Sequence, residues 1–449
     1  MATYNLRKGR DINLKGKAAK EFVKLPLPKQ IAIQPTDFRG LKPRLLVKIG
    51  DVVKVGTPLI VDKKHPEIKF VSSASGKVCA INRGEKRLLL EVVIETDGKQ
   101  DAEKFETVGE QKLKTLTKKK VTELMLNSGL WPIIRQRPFS KVANPEDNPK
   151  SIFVRALNTD PLGPDVDFIL QGKEKDFQLG VEALTHLTEG KVFVCTKKDT
   201  QIKFSATTKN IETHQFSGPH PTGNVSTHIH LLDPINKGDI VWYVEAQDVV
   251  RLGRFFTNGE YPAERVVAIT GDIVKNRVYA QTIIGTPVSA LLQGTALQNT
   301  RCISGSILSG KNVGKNGFLG FYDAQVTVIP EGGRREFLGW LVPGFGKYTF
   351  SHTYASAFLP EKEVSLDTDE NGGHRAIVLN HLYDEYVSLD IVTYFLLKAI
   401  IAGDIEEAEK LGILECDEED FSLCTFACPS KVDVGAIIRK GLDLIEKES

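Results

Sequence analysis

The sequence predicts an α/β protein of several domains. The first hundred residues hold short apolar segments separated by Gly, Pro, Ser and Asn turns, a pattern of short strands. From Ser151 strands and helices alternate. From about His381 apolar residues recur at helical spacing. At roughly 100–200 residues per domain, 449 residues make about three or four domains. The expected segments are an all-β unit over 1–100, an α/β domain over 101–258, a β-rich module over 259–335, a connecting β segment over 336–380 and a helical domain over 381–449.

In the first segment strands are expected at Leu45–Val47, Val52–Val53, Thr57–Val61, Ile68–Val71, Lys77–Ile81 and Leu88–Glu95. Such spacing suits a small barrel or sandwich. Gly50-Asp51-Val52-Val53 with Gly56-Thr57-Pro58-Leu59, then Ser75-Gly76-Lys77-Val78, resembles the hammerhead barrel of biotinyl and lipoyl domains. Asp62-Lys63-Lys64 stands where a lipoyl domain presents its modified lysine, but His65-Pro66 follows at once and stiffens the chain. Lys63 is therefore read as part of a structural loop.

Asp101–Lys120 is charged and reads as a linker or a solvated helix start, and Thr122–Gly129 as an amphipathic helix capped by Gly129. Ile152–Leu157 and Lys191–Cys195 read as strands around a helix at Gly180–Leu187, a Rossmann-like α/β core. Val266–Ile269, Arg277–Gln281 and Pro287–Leu292, divided by Gly271 and Gly285, look like a β-grasp, ubiquitin-like (SLBB-like) module. Phe318–Pro330 and Glu336–Leu341 read as strands joined across Gly332-Gly333. The C-terminal helical domain shows apolar periodicity through Tyr386–Leu397, Ile405–Leu411 and Val434–Ile445.

The 59 basic and 57 acidic residues nearly balance, which argues against a nucleic-acid partner. No apolar run approaches the ~18 residues of a spanning helix, and Met1–Lys20 lacks the apolar core of a signal peptide. The expected place is the cytoplasm, with membrane contact only at the surface. The six cysteines are sparse and are expected to be reduced thiols.

Several motifs invite chemistry. His228 and His230 alternate along an expected strand and so share a face, with His220 nearby. A zinc site needs three or four ligands, and no acidic or thiol ligand lies close, so a structural or interface pair is expected. Cys424-x-x-x-Cys428-Pro429 copies the end of a ferredoxin cluster motif without its earlier cysteines. On a helix these two thiols pack as small apolar groups. The glycine-rich stretch Ser309–Gly317 matches no phosphate-binding pattern, and Asn158–Pro164 carries a single glycine after the first α/β strand. NADH binding by this chain is not expected. Glu418-Glu419-Asp420 reads as an exposed acidic run. Trp131–Lys141 mixes aromatics with Arg135, Arg137 and Lys141. It either clasps a quinone ring, a partner or lipid headgroups, or is a surface loop anchored by Trp131 and Phe139.

Together these pieces resemble one family across nearly the whole chain. The matching motifs are Leu6-Arg7-Lys8-Gly9, Asp62-Lys63-Lys64-x-Pro66, Ser73-Ala74-Ser75-Gly76, Ile81–Arg87, Arg137-Pro138-Phe139, Gly218-Pro219-His220-Pro221, Thr227-His228-Ile229-His230 and Cys424–Lys431. The family is that of the NqrA subunit of the sodium-pumping NADH:quinone reductase. The resemblance implies a peripheral subunit on the cytoplasmic face of a bacterial inner membrane, with five partner subunits and docking chiefly on a membrane subunit. It implies no cofactor on this chain, flavins and iron–sulfur centres in the partners, and a possible quinone contact. Arg135, Arg137, Phe139, His220, His228 and His230 are the expected quinone or partner contacts; no catalytic or metal-binding residue is expected. The rival readings are a free-standing lipoyl-like carrier or binding module, and an enzyme with its own flavin or cluster.

Overall fold

The computed structural model describes residues 2–205, 208–333, 337–339, 341–360, 362–378 and 381–448. The barrel is two small facing sheets. One has the order Gln30–Ile33, Leu89–Thr96, Gly76–Arg83, Val52–Val53; the other Pro43–Leu45, Pro58–Asp62, Lys69–Val71. Their inner faces bury Ile31, Leu59, Ile60, Phe70, Val78, Val92 and Ile94. The expected strands fall within a few residues of these. Gly76 opens a strand at φ +156°, and a Cβ there would lie 2.0 Å from the carbonyl oxygen of Glu95, so only glycine fits. Lys63 is exposed just past the Pro58–Asp62 strand, its amide donating to the carbonyl of Lys42.

Two strands from the expected barrel segment pair elsewhere. Ala2–Asn5 lies parallel to Ile211–Ser217 in the large sheet, and Phe22–Lys24 lies parallel to Tyr279–Ile283 in the third unit. The start of the chain thus joins the two later sheets before the barrel begins.

The large sheet has seven strands in the order Ala2–Asn5, Ile211–Ser217, Lys191–Lys197, Ser151–Ala156, Val241–Glu245, Arg135–Arg137, Lys141–Val142. The first five are parallel; the last two form an antiparallel edge. Every residue of Ser151–Ala156 is buried, as a parallel strand covered on both faces requires. Helices Glu174–Thr185 and Ala246–Asn258 cover one face and cross closely. A Cβ on Gly180 would lie 2.0 Å from the carbonyl oxygen of Val249, and one on Gly253 1.9 Å from that of Asp176. Backbone cannot yield as a side chain can. Gly253→Val is expected to cost about 1–3 kcal/mol through overpacking, read as a lower urea midpoint with an unchanged slope.

The third unit has the strand order Lys311–Asn312, Thr300–Ser304, Gln325–Pro330, Glu264–Thr270, Tyr279–Ile283, Phe22–Lys24. Pro287–Leu292 becomes a short helix, Val288–Leu291. The long strand expected from Phe318 shortens to Gln325–Pro330, because a turn closes between Gly320 and Asp323. The expected connecting β segment over 336–380 is also corrected. Glu336 and Trp340 lie outside the described residues, and 337–339 form a turn. The remaining described residues of that segment hold one short 3₁₀ helix, Ala355–Phe358, and a single bridge from Val364 to Leu14. Gly339, Pro343, Gly344 and Gly346 explain the lack of a ladder: proline donates no amide, and glycine disfavours extended strands.

The tail forms helices Leu382–Tyr386, Thr393–Ala402, Ile405–Lys410, Ser422–Ala427 and Val434–Glu448. Gly403, left-handed at φ +77°, ends the second of them. The helices bury Leu396, Ile413, Leu423 and Ile438 in one core with Phe153, Phe193, Phe216 and Ile229, so this domain covers the second face of the large sheet.

Candidate functional site

Strands Ser151–Ala156 and Val241–Glu245 are neighbours, yet the chain leaves the first toward Lys191–Lys197 on its other side. In an open parallel sheet, ligands bind at such a switch point, beyond the carboxyl ends of the strands. Here those ends carry Arg155 and Glu245. Glu245 Oε1 accepts from Arg135 Nη2 at 3.0 Å and from Arg155 Nη1 at 3.4 Å. Arg155 Nε donates to the carbonyl of Gly223 at 2.6 Å. The Arg135 guanidinium lies 4.4 Å from the ring centres of both Tyr243 and Tyr322.

The tail packs across the sheet, from the edge hairpin, where Arg137 lies beside Val241, to the crevice at Asn224. Asp417 caps the 3₁₀ helix Glu418–Phe421, and the Asp417 amide donates to Asp420 Oδ2 at 2.8 Å. This reciprocal cap turns both carboxylates toward the sheet. Asp417 Oδ2 accepts from Ser140 Oγ at 2.7 Å and faces Arg137 Nη2 at 3.4 Å. Arg39 Nη1 reaches Asp417 Oδ1 at 3.3 Å, and the same arginine pairs with Glu418. Asp420 Oδ1 accepts from Asn224 Nδ2 at 3.0 Å. Asn224 is the N-cap of helix Val225–Leu232, so this carboxylate occupies the place where helix amides attract anions. Of the expected exposed run Glu418-Glu419-Asp420, Asp420 is instead buried at 2% exposure, while Glu418 and Glu419 keep partial exposure; Asp417 beside them is buried too.

The charges are unequal. Burial alone would raise the Asp417 carboxyl, but Arg137 and Arg39 overcome it and hold it well below the usual range. Burial dominates at Asp420 and raises it. Arg137 has no exposed side chain and stays fully charged, its burial outweighed by Asp417. Its Nε and Nη1 are buried without protein partners.

The six expected contact residues do not form one surface. The expected His228 and His230 strand is helix Val225–Leu232, so the two rings diverge. The apolar residues Val225, Ile229 and Leu232 recur at 0, 4 and 7, a helical spacing that outweighs the short Thr-His-Ile-His alternation. His228 is buried, with Nε2 3.0 Å from the carbonyl of Thr222. Burial, reinforced by Arg155, pushes it down to about 3. His230 is half-buried, with Nδ1 2.7 Å from Glu415 Oε2, a bond that raises its pKa. His220 is buried against Thr159 and Asp160, and burial lowers its pKa. Arg137 is inside; Arg135 and Phe139 keep partial exposure. The peptide bonds Arg137–Pro138 and His220–Pro221 are cis.

No group of three or more His, Cys, Asp or Glu side chains suited to a metal occurs among the described residues. Cys416, Cys424 and Cys428 are buried free thiols, and burial pushes the first two up. The Tyr383 hydroxyl lies 3.0 Å from Cys428 Sγ. Arg155, Glu245, Arg39, Asn224, Asp417 and Asp420 were not expected from the sequence. The one sequence signal for them was the acidic pair at Asp417 and Asp420, spaced as a helix cap.

Residues 4–97 match the model of the NqrA N-terminal barrel-sandwich hybrid domain, 116–261 the NqrA second alpha/beta domain and 266–315 the NQRA C-terminal domain. The A subunit of the Na(+)-translocating NADH-quinone reductase of Histophilus somni (strain 2336) is 41% identical over 99% of each chain. The protein of the same name from Hahella chejuensis (strain KCTC 2396) is 40% identical over 99% of each chain. That from Pasteurella multocida (strain Pm70) is 42% identical over 93% of this chain and 94% of its own. A solved NAD+-reducing [NiFe]-hydrogenase, air-oxidized, aligns with 41% of each chain at 13% identity and a TM-score of 0.32. With such identity over the full length of its relatives, the chain belongs to the NqrA family, the A subunits of Na(+)-translocating NADH-quinone reductases.

Proposed function

We propose that this chain is a cofactor-free, peripheral subunit of a sodium-pumping NADH:quinone reductase. It docks on the membrane subunits at the cytoplasmic face of the bacterial inner membrane and contributes to the quinone site. The observation that carries the cofactor-free reading is the occupied crevice. Where an α/β sheet of this kind receives a nucleotide, Asp420 of the chain itself meets Asn224 at the start of helix Val225–Leu232. The parallel order Ile211–Ser217, Lys191–Lys197, Ser151–Ala156, Val241–Glu245 supports a Rossmann-like core that keeps the architecture and forgoes the ligand. The third unit is read as its β-grasp module. NADH oxidation, with its flavins and iron–sulfur centres, then belongs to the five partner subunits.

Docking is supported by the segment after the third unit. No helix among the described residues is long and apolar enough to cross a membrane. Yet Phe337 is 94% and Phe358 91% exposed, with Leu341 and Phe345 exposed between them. So many large apolar groups in one stretch suit a partner surface, here that of a membrane subunit. In this reading Arg135, Phe139 and His230 make the quinone or partner contacts, and Arg137, His220 and His228 position them from beneath.

Tagged chain purified from native membranes in mild detergent is expected to carry sodium-stimulated NADH:quinone reductase activity with its partner subunits. Phe345→Glu with Phe358→Glu is expected to cut that co-purified activity at least tenfold while the far-UV spectrum of the chain stays unchanged. A native chain that elutes alone and inactive would overturn membership in the complex. Full assembly of the double variant would overturn the docking surface.

A further inference from the structure

A cleft of about 710 Å³ opens where the barrel, the α/β domain and the third unit meet. That volume lies within the range of small-molecule sites, which favour domain junctions. Its apolar wall includes Leu25, Leu27 and Val250. Its polar wall is cationic. Lys24, Lys173, Arg251, Arg254 and Arg265 line it with Glu260 and Glu264; Glu260 is paired with Lys104, and Arg254 with Asp176 and Glu264, which leaves Lys24, Lys173 and the floor arginines to set its charge.

The floor of the cleft holds more positive than negative charge. Asp248 is fully buried, and its Oδ1 alone accepts from two guanidinium groups. Arg251 Nη1 lies 2.7 Å away and Arg265 Nη2 2.8 Å. Arg251 uses its other donors on the carbonyl of Pro262 and the hydroxyl of Tyr261. Arg265 Nε is buried with no protein partner. Two arginines that share one carboxylate leave one positive charge in low dielectric, an unfavourable state unless an anion answers it. Asp323, which faces Arg265 more weakly, is itself held toward its neutral form by burial. At the rim, Lys173 makes no ion pair with any described residue. Its pKa is pulled down by burial and then by the neighbouring Arg254.

We propose that this cleft binds a phosphate monoester with an apolar body, its phosphate answering Arg265 and Lys173 and its body lying on Leu25, Leu27 and Val250. Arg265, 1% exposed, attracts the phosphate by its charge from beneath the floor, and the Lys173 ammonium binds it directly at the mouth. The apolar wall distinguishes such a ligand from inorganic phosphate. The phosphate belongs either to a soluble metabolite or to a lipid headgroup.

The test is calorimetric titration of the full chain with inorganic phosphate and with n-hexyl phosphate, plus co-sedimentation with phosphatidylcholine vesicles with and without phosphatidate. n-Hexyl phosphate is expected to bind at least tenfold more tightly than inorganic phosphate. Lys173→Met, at the rim, is expected to weaken it about three- to tenfold while leaving thermal unfolding of the free chain unchanged. Arg265→Met is expected to abolish it. Sedimentation that depends on phosphatidate and on Lys173 assigns a lipid source; hexyl phosphate binding without sedimentation assigns a soluble one. Absence of binding by both organic probes, or binding indifferent to Lys173→Met, overturns the proposal.

Discussion

Arg137→Ala lowers the unfolding free energy by about 3–5 kcal/mol. Its side chain is wholly buried, 3.4 Å from Asp417 and 3.3 Å from Glu419. Removing it leaves Asp417 inside the protein with Arg39 at 3.3 Å and Arg439 at 4.0 Å as its neighbouring cations. A stranded buried charge costs more than the intact pair contributes. Arg137→Ala combined with Asp417→Asn should therefore cost clearly less than the sum of the two single changes. Urea unfolding followed by tryptophan fluorescence reads this, because Trp131 and Trp242 lie in the sheet domain with rings 5.5 Å apart. A single variant within about 1 kcal/mol of the native chain would show that the crevice is not held shut by this pair.

Between pH 6.5 and 4 the native chain loses about 3 kcal/mol more stability than His228→Gln. Burial keeps His228 neutral in the folded state down to about 3, whereas unfolding restores its ordinary 6.5. Between those values the unfolded chain binds more protons. Stability therefore falls as pH drops, by about 1.4 kcal/mol per unit. Glutamine can still donate to the carbonyl of Thr222 but does not titrate. Asp420 acts in the opposite direction: its carboxyl is raised in the folded state, so it costs stability as pH rises. That contribution is common to both proteins and cancels in their difference. Parallel curves of unfolding free energy against pH would refute the assignment.

The barrel was legible because its signals are local. Gly50, Gly56, Gly76 and Gly84 separate runs of apolar residues, and strand positions follow from turns. In the tail Ile405–Leu411 and Val434–Ile445 were equally plain, whereas Tyr386–Leu397 spans a break at 387–392 between two helices. The connecting segment was misread because hydrophobicity alone resembles a strand. Phe337, Leu338 and Leu341 are apolar but exposed, and nothing in their spacing shows whether they face a core or a partner. The crevice was illegible for a different reason. Arg137 and Asp417 lie far apart along the chain, and only the packing of the last helices on the sheet brings them together. A run of acidic residues reads as solvated until its counter-charges are placed.

The strand Ala2–Asn5 also sets a timetable. Its partner, Ile211–Ser217, is made some two hundred positions later, with Thr3 meeting Gln215 across a separation of 212. Contacts between such distant residues form late, because a long loop must close before they contribute. These residues must wait, unpaired, for the sheet they complete. A solubility tag or a chaperone would act there most usefully, on the opening strand during synthesis, long before the tail arrives to seal the crevice.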